Sequence, residues 1–396
     1  MVFFHRAPLA DQQPSVSDGT VIIKDLPKKG CLSGIDLKFL VANLTHANGN
    51  PSGHILDCIN KIEVVLNGDI RYFSMSGIEL FQHLWQVNGK PPYHEFNGRN
   101  SEEAFVHFPI RFGRYLGDPQ FGLKLDNWSS AQLLVDYALD PVGDDSDGAP
   151  TGFLTGTTKM SAMLHITPPD KIAPFQACIG TRQYYTGSTV ANDVMRMELP
   201  RQNPLVGMGL FCHKSATSMS AVASKASFEL NNGNLLLIRG RWYDHVRIQS
   251  ENLTDIEQRY LTLWTTGKTL DLQLNWINNI QVKPMYNTPT NSAQNCIRAP
   301  ELSVSGGLLT MAAGPALNID LDASPTIVPA ANAINQPYDM IVKGYPDRYI
   351  YWPMGNRMDM LDIINPNQYS LMEAVLECGA TGGAGVSLIV EELRAA

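Results

Sequence analysis

The chain has little charge, no closely spaced cysteines and no long apolar run, and each shortage removes a class of function. Charged residues make up 17% of its 396 positions, below the ~25% usual for soluble domains. The balance is acidic, −8, and no Lys/Arg run exceeds Lys28-Lys29. A protein that grips nucleic acid regardless of sequence needs the opposite sign, so direct genome binding is not expected. Cys31, Cys58, Cys178, Cys212, Cys296 and Cys378 form no C-x-x-C pair, which reads as reduced core thiols rather than a disulfide frame. No apolar stretch approaches the ~18 residues of a membrane span. The start, Met1 to Arg6, is interrupted too soon to read as a secretory leader.

Signatures of catalysis are also missing. The nine histidines include no H-x-H and no H-E-x-x-H, so nothing in their spacing gathers a metal. There is no G-x-S-x-G elbow. Gly267-Lys268-Thr269 ends like a phosphate-binding loop, but Thr262 stands where the upstream glycine belongs. It also lies after an expected helix, whereas the amide cradle needs a helix start. The acidic stretch Asp140–Gly148 has part of a calcium-loop spacing without the closing glutamate, which favours a solvated loop tip. No catalytic, cofactor-binding or metal-ligating residue is therefore expected, and the chain is expected not to be an enzyme.

What is present is a phrase used twice. Ile62, Val64 and Leu66 alternate with polar neighbours, Asn67-Gly68 supplies a tight turn, and Ile70–Phe73 returns. Ser76 and Glu79 have the spacing of a capping box, and the helix they open carries Ile78, Phe81, Leu84 and Trp85 before stopping at Gly89. In the second half Phe228–Leu230 alternates, Asn232-Gly233 turns and Leu235–Ile238 returns. There Thr254 and Glu257 repeat the capping box, so the expected helix carries Ile256, Tyr260, Leu263 and Trp264 and stops at Gly267. Asn-Gly alone is common in this chain; the compound phrase predicts a duplicated unit.

The rest reads as strands. Val21–Ile23, Ile35–Val41, Val106–Phe112, Leu133–Leu139 and Met160–Ile166 fill the first half at the density of a sandwich or jelly roll. Pro109 marks its run as an edge or bulged strand. Pro168, Pro169 and Pro174 end the sheet, since proline supplies no ladder donor. The second half repeats the texture with Met195–Leu199, Leu205–Cys212, Leu270–Trp276, Tyr349–Trp352, Leu371–Cys378 and Val386–Glu391. Residues 284–337, rich in Pro, Asn, Ala and Gly, are too long for an ordinary connection and are expected to form an ordered excursion with short strands. The expected plan is all-β: an N-terminal arm over 1–19, one unit over 20–170, and a second over 171–396.

This order, with Phe108-Pro-Ile-Arg-Phe112-Gly-Arg114 leading to Phe121-Gly-Leu-Lys-Leu125, resembles the double jelly-roll major capsid proteins of tailless icosahedral phages with an internal membrane. The resemblance implies two tandem eight-stranded jelly rolls and a homotrimer with a pseudo-hexameric outline. It further implies contacts with neighbouring trimers and with penton and minor capsid proteins, and a place in the virion after synthesis in host cytoplasm. Phe3-Phe4-His5-Arg6 suits contact with an underlying membrane, and equally well a terminus packed on a neighbouring subunit. A tandem jelly-roll carbohydrate-binding protein and a bicupin-like enzyme stand as alternatives.

Overall fold

The alternating runs fold as two sandwiches of one topology. The structure is a computed structural model. It describes residues 5–14, 19–42, 54–96, 103–139, 153, 158–168, 177–214, 217, 219–231, 233–264, 270–271, 277–286, 302–305, 308–311, 318–320, 326–328, 336–360 and 363–395, with backbone only between 257 and 343. The first roll comprises β1 (His5–Pro14), β2 (Thr20–Asp25), β3 (Cys31–Ala42), β4 (Ile59–Leu66), β5 (Ile70–Met75), helix α1 (Gly77–Asn88), β6 (Glu103–Arg111), β7 (Ala131–Tyr137) and β8 (Lys159–Thr167). The second comprises β9 (Cys178–Ser188), β10 (Val194–Glu198), β11 (Leu205–His213), β12 (Ala223–Leu230), β13 (Leu235–Arg241), helix α2 (Trp242–Ser250), β14 (Tyr349–Pro353), β15 (Met372–Cys378) and β16 (Gly385–Arg394). The first roll pairs its strands as β1-β8-β3-β6 and β2-β7-β4-β5, the second as β9-β16-β11-β14 and β10-β15-β12-β13. Adding eight to each strand of the first roll generates the second.

The duplication extends to single hydrogen bonds. At the β4–β5 turn Asn67 and Gly68 take φ of 51° and 84°, the left-handed angles a tight hairpin demands. The Asn67 side-chain oxygen accepts from the Ser129 amide and hydroxyl, just before β7. At the β12–β13 turn Asn231, with φ 51°, accepts in the same way from the Ser370 amide and hydroxyl, just before β15. The equivalent of Asn67 is thus Asn231, one residue before the Asn232-Gly233 pair read from the sequence.

Each roll has its own core. Ile35, Leu37, Phe39, Val64, Phe81, Trp85, Val106, Phe108, Leu133 and Val135 belong to the first. Met208, Leu210, Phe228, Trp242, Ile350, Leu376, Val386 and Leu388 belong to the second. Burying each such Leu, Ile, Val or Phe side chain is worth about 1.5–3 kcal/mol, which is what the alternation records. Pro109 lies in β6 opposite Asp36, at the outer side of its sheet as its missing donor requires. Beyond the paired strands, β5 and β9 run parallel, Phe73 opposite Thr181 and Ser74 opposite Arg182. They join β2-β7-β4-β5 and β9-β16-β11-β14 into one eight-stranded sheet.

Three expectations are corrected. The second helix is α2, over 242–250, directly after its hairpin as α1 follows β5. Ile256–Trp264 is a strand paired with Gln336–Pro346. The Thr254–Glu257 spacing imitated a cap, while Arg241 gives α2 no side-chain cap and Glu251 ends it without a left-handed residue. The segment read as an arm is largely β1, paired along β8 with Ala10 buried. Its Pro8 and Pro14 obscured it, yet proline is tolerated on an edge strand. The excursion also begins earlier than 284. Ile256–Trp264, Ile277–Tyr286 and Gln336–Pro346 form one sheet, and Leu270–Asp271 with strands at 302–305, 308–311, 318–320 and 326–328 forms another. The join expected at 168–174 lies mostly outside the described residues, as do residues 272–276 of the Leu270–Trp276 run.

Candidate functional site

An assembly of buried ionisable groups sits where the first roll meets the second. The capping box predicted at Ser76 forms: the Glu79 amide donates to Ser76 Oγ and the Ser76 amide to Glu79 Oε2 at 2.9 Å. Gly89, φ 71°, ends α1. Rigidly held at both ends, α1 packs one side on its own roll and lays the other on the outward face of β9-β16-β11-β14. There His83 Nε2 lies 3.3 Å from Glu391 Oε1, and His83 Nδ1 lies 2.8 Å from the Tyr349 hydroxyl. The Gln183 amide donates to Glu79 Oε1 at 2.9 Å. Phe211, Tyr349, Tyr351 and Ile389 of the second roll consequently belong to the first roll's core.

Glu391 is the centre of this seam, with only 1% of its surface exposed. Arg357 Nη1 donates to both its oxygens, at 2.5 and 2.7 Å, and the Tyr351 hydroxyl donates to Oε2 at 2.5 Å. Burial pushes its pKa up, but Arg357, His83 and Tyr351 outweigh burial and hold the carboxyl well below the usual range. Burial and the Glu391 charge push both Tyr349 and Tyr351 well above an ordinary phenol. With both carboxylate oxygens engaged, the cluster is built to fix orientation rather than to react. A buried ion pair of this kind is costly to leave half-made, about 3–5 kcal/mol on removing one partner, so it specifies one docking.

The motif Phe108–Arg114 reaches the same seam from its other side. Phe108, Ile110 and Phe112 are buried in the first core, and the Phe112 carbonyl accepts from the Ile179 amide of β9 at 2.8 Å. Arg114 is clamped by Asp118 at 2.7 Å and donates to the Met358 carbonyl of the second roll at 2.8 Å. Its guanidinium lies 4.6 Å over the Phe121 ring.

A second cluster lies on the outward face of β1-β8-β3-β6. Asp36 accepts from Arg111 at 2.7 Å and lies 2.5 Å from His165 Nε2. Burial raises its pKa, but Arg111 and His165 hold it below the usual carboxylate value. Around it Arg6, Pro8, Lys38, His107, Ser161 and Met163 line an open cavity of about 460 Å³.

Asp140–Gly148, Gly267-Lys268-Thr269 and Phe3-Phe4 lie outside the described residues, as does the Trp264 side chain. Trp85 is fully buried, and its indole N–H donates to the Thr254 carbonyl at 2.9 Å. Cys31, Cys58, Cys178, Cys212 and Cys378 are buried free thiols, and burial pushes Cys178 and Cys212 up to about 12. Among the described residues no group of His, Cys, Asp and Glu is placed to hold a metal. The seam itself was missed in the sequence, because His83, Arg357 and Glu391 are far apart along it. The available signal was Val386–Glu392, an apolar run of strand length ending in two carboxylates.

No family model and no curated protein matches this sequence, but solved structures match nearly its whole length. The Sulfolobus turreted icosahedral virus structure superposes with TM-score 0.57 at 10% identity, covering 99% of this chain and 91% of that one. The major capsid protein of bacteriophage PM2 gives 0.52 at 11% identity, covering 100% and 98%. The PBCV-1 virus capsid gives 0.53 at 9% identity, covering 99% and 94%. The chain has the double jelly-roll fold of these viral major capsid proteins.

Proposed function

We propose that this protein is a major capsid protein that assembles as homotrimers into an icosahedral virion shell. The observation that carries the reading is the end-to-end match of both rolls, in order, to capsid proteins. The duplicated topology supports it independently: two equivalent rolls per chain, closed by threefold symmetry, give six similar lobes around one axis. The rigid seam at Glu391 suits a subunit whose two lobes must hold a fixed angle in a facet. The excursion over 256–346 forms sheets paired with neither roll, which supports a role in contacts with neighbouring trimers or with penton and minor proteins. Exposed His5 and Arg6 beside Phe3 and Phe4 fit an underlying membrane, since an aromatic–basic tip suits a lipid interface. The chain acts as a structural protein of the virion and not as an enzyme, and the folds it matches do not favour the carbohydrate-binding or bicupin alternatives. Electron microscopy of purified protein tests the reading. Shells, or hexagonal particles that tile, are expected; dispersed two-lobed monomers under all assembly conditions would overturn it.

A further inference from the structure

Two carboxylates end the apolar run of β16, and they serve opposite faces of the joined sheet. Glu391 points into the seam beneath α1. Glu392, one residue on, points the other way, as successive strand residues must. It is fully buried and holds two guanidiniums at once, Arg182 Nε at 3.1 Å and Arg394 Nε at 3.2 Å. Across the parallel β5–β9 join, Glu63 does the same for the first roll. It accepts from Arg71 Nε and from the Ser74 hydroxyl, both at 2.9 Å, and lies 3.7 Å from Lys61. Glu63, Ser74 and Arg182 stand in one cross-strand row. Four neighbouring strands, β4, β5, β9 and β16, thus bring one cation each to the same place.

There they line an open cleft of about 460 Å³. Both glutamates stand behind its wall. Of the charged side chains in the wall itself, Lys61, Arg71, Arg182 and Arg394 are cations and Asp69 alone is acidic, in a chain whose net charge is −8. The glutamates take the inner nitrogen of each guanidinium and leave the outer pair. Among the described residues the terminal nitrogens of Arg71 and Arg182 have no partner, and Arg394 commits only Nη1, to the Arg71 carbonyl at 2.7 Å. Aromatic rings fix two of the planes: the Arg394 guanidinium lies 4.8 Å over Tyr72, and that of Arg182 lies 5.3 Å over Tyr184. Guanidiniums held in this way have already lost the side-chain freedom that binding would otherwise cost.

We propose that this cleft binds a terminal phosphate group, either inorganic phosphate or the monoester of a lipid headgroup. A guanidinium fork matches an oxyanion through two parallel hydrogen bonds. Four cations facing one carboxylate favour the double charge of such a phosphate over the single charge of a carboxylate. Bound there, the phosphate ties the two rolls across a join where only Phe73–Thr181 and Ser74–Arg182 pair. The site is complete within one chain, so it goes beyond the capsid reading and does not rest on it.

Titration calorimetry of the full chain with inorganic phosphate, in buffer otherwise free of phosphate and sulfate and at constant ionic strength, tests the site. One saturable site per chain is expected. Arg71→Gln, on a side chain 56% exposed, should fold normally and weaken binding by about tenfold or more. Lys61→Gln, on a side chain 40% exposed, should weaken it roughly threefold and keeps the test open if the arginine variant is unstable. Arg196→Gln, on an exposed arginine of the second roll's other sheet, should leave the affinity unchanged. Sedimentation with phosphatidylcholine vesicles, with and without phosphatidic acid, separates the two sources. Retention that needs phosphatidic acid and is lost in Arg71→Gln assigns the phosphate to a lipid, and phosphate binding without such retention assigns it to free phosphate. Absence of a saturable site, or equal binding by the unaltered chain, Arg71→Gln and Lys61→Gln, would overturn the proposal and leave the capsid reading untouched.

Discussion

β3 and β11 occupy the same position in two copies of one fold, and their sequences differ because their outward faces meet different surroundings. In β3, Ile35, Leu37 and Phe39 point into the core while Asp36 and Lys38 are only partly covered. In β11, Leu205–Cys212 is buried throughout, because α1 lies on its outer side. The two glycines of β11 follow from that crowding. A Cβ on Gly209 would collide with the Tyr349 hydroxyl, and one on Gly207 with Tyr351 and Glu391. Period-two alternation therefore marks a roll's free face, and its loss marks the face where two rolls join.

The largest expected effect comes from breaking the joined face and comparing it with the free one. Arg357→Ala should destabilise the chain by about 3–5 kcal/mol, since it strands the buried Glu391 charge. Arg111→Ala, on the part-exposed ion pair with Asp36, should cost about 1 kcal/mol or less. Chemical denaturation of both variants measures the contrast, and equal costs would erase the distinction between the faces.

Acid should come next. Burial, opposed by little else, lowers His54 to about 3 and His213 to about 4 from an ordinary value of 6.5, and burial also lowers His94, His107 and His245. Below pH 6.5 the unfolded chain takes up protons that the folded chain refuses, so stability should fall from pH 6.5 towards pH 4, by about 1.4 kcal/mol per pH unit for each of His54 and His213, with the other three adding in the same direction. Asp347, raised by burial to about 6, has the opposite sign and favours acid over that range, but it is one group against five. Melting temperatures across pH 4–7 check the slope; a flat profile would contradict it.

Smaller, and the same in both rolls, should be the turns. Asn67→Ala and Asn231→Ala each lose hydrogen bonds to a serine and place alanine at positive φ, so each should cost about 1–3 kcal/mol. Matching costs support the equivalence of the hairpins, while a large asymmetry would break it. The smallest effect belongs to the exposed Ile248, where alanine should change folding stability by no more than about 0.5 kcal/mol.

Alternation and turn chemistry made most of the sixteen strands readable, because they act within a few residues. The Ser76–Glu79 box and the Asn67-Gly68 hairpin form as read for the same reason. α2 was hidden because Arg241 and Glu251 lack cap chemistry while Thr254–Glu257 displays it; pairing with Gln336–Pro346 then claims Ile256–Trp264 as a strand. β1 was hidden by prolines that only its edge position permits. The seam was unreadable, since His83, Tyr349, Arg357 and Glu391 come together only when two finished rolls dock.

Native mass tests the central claim most directly. Light scattering on capsomers gently released from particles should find three chains of 43.7 kDa, a species of roughly 130 kDa closed by threefold symmetry. A stable monomer or dimer as the sole product would contradict the account.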